Sequence, residues 1–260
     1  MTRLALIGGI YSNYHALEAA LDTMDRRGVD GVYCLGDVGG FGPYPDRVYP
    51  LLRSRGVECL QGNYDNSLAG GLGDCQCGYT DPRDNYFARL SYRYTFERTS
   101  QENKKWLGTL PTLVRLEVEG WRVLLCHGSP RKMNEFLWES TSPDSFLEYL
   151  LDESQADIVG VTHTGIKWQR KLSDDRLFVN VGVLGRPENN GQTCVWYTEL
   201  SLSEQRASVN FVPVVYDHQA LAADMQAEAL PRQFIETILT GWWTTCLEIL
   251  PHKERARGRF

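Results

Sequence analysis

VYCLGDVGGFGP, residues 32–43, places one carboxylate, Asp37, at the point where a buried apolar run stops. Val32, Tyr33, Cys34 and Leu35 read as a buried strand, and Gly36, Gly39, Gly40, Gly42 and Pro43 as a loop that cannot continue it. An aspartate at the carboxyl end of such a strand faces the crevice where open α/β sheets bind their ligands. A turn aspartate capping the next helix fits the same residues. The surrounding chain decides between the two.

Upstream, residues 3–7 are apolar, and residues 13–27 carry Ala16, Leu17, Ala20, Leu21 and Met24 at helical spacing. Downstream come a helix over about 46–54 and a third strand, 57–60, ending in QGNYDN. Strands alternating with helices at this spacing predict right-handed crossovers and a largely parallel sheet. The middle is a glycine-rich loop containing Cys75 and Cys77, followed by helices over 84–96 and 100–107. A hairpin turns at Glu119 and Gly120, and its second strand, 123–126, delivers His127. A helix over 142–151 precedes a strand, 156–161, that delivers Thr162 and His163. Further strands are expected at 176–181, 193–200 and 209–215, and helices at 216–229 and 231–239.

With 260 residues, 42% hydrophobic and 23% charged, the chain can bury a full core. A first domain over 1–214 with a helical extension, 215–260, packed on it is the simplest division. No apolar run reaches membrane-spanning length and the N-terminus has no signal-peptide profile, so a cytoplasmic protein is expected, with no membrane partner. A net charge of −6 gives no general reason to bind nucleic acid. Seven cysteines, an odd number, fit reduced thiols better than a disulfide framework, and CQC lacks the spacer of a zinc knuckle. Trp242 and Trp243, with Leu247, Ile249 and Leu250, can pack on their own domain or make a homo-oligomer with a second copy.

The polar strand ends run in the order GD at Asp37, GNYD at Asn63, HG at His127 and TH at His163. From residue 3 to about 214 this order resembles the calcineurin-like metallophosphoesterase superfamily, whose metal centre is bound by D-x-H, GD, GNH followed by D or E, HG and GHTH. LLCHGSPRKMNEFL and NVGVLGRP are similar to the small bacterial phosphoesterase branch. The resemblance implies an α/β fold, a layered sandwich of two mixed β-sheets flanked by helices, and hydrolysis of a small phosphorylated molecule.

The departures are specific. Gly9 and Tyr11 stand where the family has the aspartate and histidine of D-x-H, Val161 replaces the first histidine of GHTH, and Tyr64 the histidine of GNH. Carried across residue by residue, the metal positions left are Asp37, Asn63, His127 and His163, with Asp37, Asn63 and His127 also the catalytic set. One carboxylate, an amide and two imidazoles are too little charge for two ions but an ordinary ligand set for one zinc, manganese or iron(II) ion. Tyr11 can bind a hard metal as phenolate or serve as a pocket hydroxyl, and Tyr64, at the position the family uses near the leaving group, is with Tyr11 a substrate-binding candidate. Arg131 and Lys132, just after HGSP, are candidates for holding a phosphate or carboxylate of the substrate, and Arg83, Arg186 and Asn180 are further candidates of the same kind. Two functions follow: a metal-dependent phosphoesterase with a reduced, mononuclear centre, or a catalytically silent protein that binds a phosphorylated ligand. Different chemistry at one redox-active ion near Cys126 is a third.

Overall fold

In the computed structural model, which describes residues 1–258, the chain forms two five-stranded sheets stacked face to face with helices on both outer faces. The first sheet contains β1 (Thr2–Ile7), β2 (Gly31–Cys34) and β3 (Glu58–Cys59), all parallel. Helices α1 (Tyr14–Arg27) and α2 (Val48–Ser54) make the crossovers, and Asn13 caps α1 by accepting from the Ala16 N–H. The mixed character comes from the chain's later part, because β9 (Val195–Ser203) pairs antiparallel with β1 and β10 (Arg206–Val214) closes that edge.

The second sheet runs in the order β4 (Leu113–Val118), β5 (Trp121–Cys126), β6 (Ile158–Val161), β8 (Leu177–Val181), β7 (Lys167–Lys171). The hairpin turns at Glu119 and Gly120 as expected. Strand β7 is unforeseen, since KWQRK is polar in four of five positions and only Trp168 turns inward. Alternation along the strands sorts the core into layers. Leu4 and Leu6 meet Val123, Leu125, Ile158 and Val179 between the sheets. Ala5 and Ile7 face the first helical layer with Ala16, Leu17 and Ala20, and Leu124, Val159, Val161 and Phe178 face α6 (Asp144–Ser154).

Two local expectations are corrected. The third strand is only two residues long, and Asn63 opens a helix, α3 (Asn63–Gly70), instead of lying in a loop. Cys75 and Cys77 are bridged as a disulfide instead of lying free, their Cα atoms 5.3 Å apart across a left-handed Gln76. Between α3 and the hairpin lie α4 (Pro82–Arg98) and α5 (Gln101–Leu107), the latter capped by Ser100. Helices α7 (His218–Ala227) and α8 (Arg232–Thr240) lie against the first layer, with His15 bonded to Asp224 and the Phe41 and Phe234 rings 4.6 Å apart. The tail packs on its own chain: Trp243 is buried with Trp138, Ile166, Leu247 and Leu250. The sequence closes on a short basic run, HKERARGRF, whose last residues, 259–260, lie outside the described ones. No helix among the described residues is long and apolar enough to cross a membrane.

Candidate metal centre

The loops after β2, β3, β5 and β6 meet at one end of the sandwich, and a single carboxylate ties two of them together. Asp65 accepts from the backbone N–H groups of Asp37 (2.7 Å), Val38 (3.1 Å) and Gly62 (2.9 Å). Burial, then the charge of Asp37, push its pKa up to about 7. This clamp holds Asp37 in a left-handed conformation, φ 57°, that ordinarily costs a non-glycine residue about 1 kcal/mol or more. Asp65 thus pairs with loop backbone, and with two loops instead of one.

Asp37 directs Oδ1 to the N–H of Tyr64, which donates at 3.1 Å, and Oδ2 to His127 Nε2 at 3.3 Å. The Nδ1–H of His127 donates to the Leu35 carbonyl at 2.6 Å, and the Nε2–H of His163 donates to the Cys77 carbonyl at 3.2 Å. A carbonyl only accepts, so these bonds fix both tautomers and turn His127 Nε2 and His163 Nδ1 toward each other, 3.2 Å apart. Three lone-pair atoms, from Asp37, His127 and His163, therefore converge within 4.8 Å of one another, all on buried residues. A cation placed among them would meet all three.

A proton or a metal ion can play that part. Burial disfavours charge on both partners, yet the His127 pKa is raised because Asp37 lies beside it, and that of Asp37 is lowered because His127 does. His163 goes the other way, held down to about 3 by burial and then by His127. One positive charge is thus accommodated and a second is not.

Asn63 tests whether the site suits a metal. Its Nδ2 donates to the Cys75 carbonyl at 2.7 Å and lies 3.5 Å from Cys77 Sγ, while its Oδ1 is buried without a hydrogen-bond partner among the described residues. An amide oxygen left so costs about 1–3 kcal/mol unless something binds it. A carboxylate and two imidazoles with inward lone pairs fit a divalent ion, and an orphaned amide oxygen is of the type such an ion also binds. The neighbouring D-x-H position carries no carboxylate or imidazole. Tyr11 is there, its phenol kept protonated by burial.

Beside the trio opens a mostly apolar cleft lined by Tyr11, Tyr64, Phe41, Tyr79, Phe87 and Phe234, with Asp37, His163 and Arg186. Tyr64 is buried and donates its hydroxyl to Ser91 Oγ at 2.7 Å. Arg131 and Lys132 are not among the lining residues. The Arg131 guanidinium is taken by Glu135 and stacks over Phe146, because HGSP turns the chain outward after His127. Arg83 donates to the Thr244 carbonyl, and Asn180 donates to the Thr162 carbonyl and the Thr164 hydroxyl. Cys126 is buried in the outer apolar cluster, and burial pushes its thiol up to about 12. Sequence reasoning missed the residues that come from far along the chain, the Cys77 carbonyl and Phe234, for which no local pattern exists. Arg186 had a signal, a lone cation in a glycine-rich loop.

This arrangement of sheets, with polar strand ends meeting at a metal-type site, is that of a metallophosphoesterase. Residues 3–201 match the calcineurin-like phosphoesterase superfamily domain, and the chain belongs to that superfamily. It is 26% identical to an uncharacterised protein of Methanocaldococcus jannaschii, over 92% of this chain and 98% of that one. Its fold is similar to a hypothetical protein of Pyrococcus horikoshii (TM-score 0.74, 20% identity, covering 94% of this chain and 100% of that one). It is also similar to a metallophosphoesterase of Sphaerobacter thermophilus (TM-score 0.68, 24% identity, 92% and 99%).

Proposed function

We propose that this chain is a metal-dependent phosphoesterase that works on a small phosphorylated molecule with one divalent ion, manganese, iron or zinc, held by Asp37, His127, His163 and Asn63. The observation that carries the reading is the convergence of Asp37 Oδ2, His127 Nε2 and His163 Nδ1 beside an open cleft. When bound, the ion supplies Lewis-acid neutralisation of phosphoryl charge and the means to ionise water near neutral pH.

The chain's own groups do the rest. Leu35 and Cys77 hold the imidazoles in the tautomers that point inward. Tyr64 N–H takes one lone pair of Asp37 and leaves Oδ2 for the ion. Tyr11 and Tyr64 keep neutral hydroxyls in the cleft wall, since burial raises both phenols. A phenol so raised is a poor acid where the family has a histidine, so the leaving oxygen takes its proton from solvent, and turnover is slow.

A second reading, a silent phospholigand-binding protein on the same fold, is favoured by that same replacement and by the loss of the D-x-H pair. Hydrolysis of bis(p-nitrophenyl) phosphate and p-nitrophenyl phosphate with each metal separates them. Weak turnover, abolished in Asp37→Ala and in His127→Ala, supports the enzyme. Activity that survives both changes would put catalysis elsewhere, and no turnover in the native chain would leave the binding role.

A further inference from the structure

Among the described residues, Arg186 is a buried cation without a counterion. It is 6% exposed, its Nε is buried without a hydrogen-bond partner, and its guanidinium makes no hydrogen bond or ion pair among the described residues. The guanidinium stacks on the ring of Trp243, 3.6 Å from guanidinium carbon to centroid, with the Tyr11 and Phe41 rings at 5.9 and 6.0 Å. Stacking on an aromatic face offsets only part of what burying an unpaired charge costs, and it leaves the edge of the fork without acceptors. Arg186 lines the cleft beside the trio, and Asp37, the carboxylate of that cleft, is already engaged by His127 and the Tyr64 N–H.

The chain holds this cation in place deliberately. Trp243 donates its Nε1–H to the Pro187 carbonyl at 2.7 Å and its backbone N–H to Asn189 Oδ1 at 2.8 Å, so the tail is stapled at two points to the loop that follows Arg186. A planar fork with free N–H edges in an apolar, water-poor wall is suited to two oxygens of one anion. We infer that Arg186 is the specificity-determining residue of the cleft, binding the phosphoryl group of the substrate through its guanidinium edge while Trp243 fixes the plane. This rests on the reading of the cleft as a phosphoryl site. It assigns to Arg186 the part that the position of Arg131 and Lys132 denies them.

The test is calorimetric titration of the full chain with orthophosphate, both manganese-loaded and chelator-treated, in the native protein, Arg186→Lys and Arg186→Gln. Affinity should fall by about 10- to 100-fold in Arg186→Gln in both forms, the worth of a charge-assisted pair, and by less in Arg186→Lys, which keeps the charge and loses the fork. A structural arginine predicts the opposite of a second readout: without phosphate, Arg186→Gln should melt at the native temperature or above it, because an unpaired buried charge has gone. Phosphate affinity within twofold of native in Arg186→Gln, no phosphate binding by the native chain in either form, or loss of the fold in both variants would overturn the assignment. Arg186-dependent phosphate binding without hydrolysis would uphold it and sink the hydrolase reading alone. Hydrolysis and phosphate binding both indifferent to Arg186→Gln would sink it and spare that reading.

Discussion

The ring of Tyr11 occupies the space into which a side chain at Gly9 would grow: a Cβ built on Gly9 comes within 2.5 Å of Tyr11 Cε1 and 2.8 Å of Cζ. The two departures from D-x-H are therefore one coupled change, a lost carboxylate whose room has been taken by an aromatic ring. Gly9→Asp alone should destabilise the chain by about 1–3 kcal/mol, the usual cost of overpacking. Gly9→Asp combined with Tyr11→His should recover most of that and raise the metal content toward a second ion. Thermal melts with elemental analysis check both, and a single variant as stable as the native chain would show that Tyr11 does not hold this space.

Gly62 is constrained from the other side of the site. A Cβ there would lie 2.2 Å from Asp37 Oδ1 and 2.8 Å from His127 Cε1. Gly62→Ala should therefore displace two ligands at once and weaken metal binding by roughly 10- to 100-fold, the range seen when ligand orientation is lost. Zinc or manganese titration measures it. Native affinity in Gly62→Ala would mean that the loop yields without moving Asp37.

Stability should depend on pH through His163. Its pKa is held down to about 3 in the fold, against an ordinary value near 6.5. Between those limits the unfolded chain binds the extra proton, so stability is lost as pH falls, by at most about 1.4 kcal/mol per pH unit for this one group. His127 acts with opposite sign: its raised pKa contributes stability below about 6.5 that is lost as pH rises through its folded value. The lowered pKa of Asp37 contributes above the usual carboxylate range and is lost only at still lower pH. His163→Asn, measured by thermal melts under chelation, should flatten the fall between about pH 6 and 4. An unchanged slope would assign the acid sensitivity to other groups.

Much of this was legible in the residues. The βα repeats around residues 32–43 and the hairpin at Glu119 are local patterns of apolar spacing and turn chemistry that placed individual strands, while their division into two mixed sheets followed only from the family resemblance. Asp37, His127 and His163 could be singled out because each ends an apolar strand. Asn63 was picked out through the GNYD motif, but the helix it opens was not foreseen, since that helix begins with polar residues that carry no helical periodicity. Arg131 and Lys132 were chosen for charge near HGSP, and charge says nothing of direction. Arg186 and Trp243 meet only after the chain has returned from 57 residues away, a separation no local pattern spans.

The central claim is that Asp37 still holds a metal, and only one. Elemental analysis of chain purified without chelator and equilibrated with manganese tests it directly, alongside Asp37→Ala and His127→Ala. The account predicts about one ion per native chain and little in either variant, because one carboxylate and two imidazoles complete a single site. Two ions per native chain, none at all, or full retention in Asp37→Ala would contradict it.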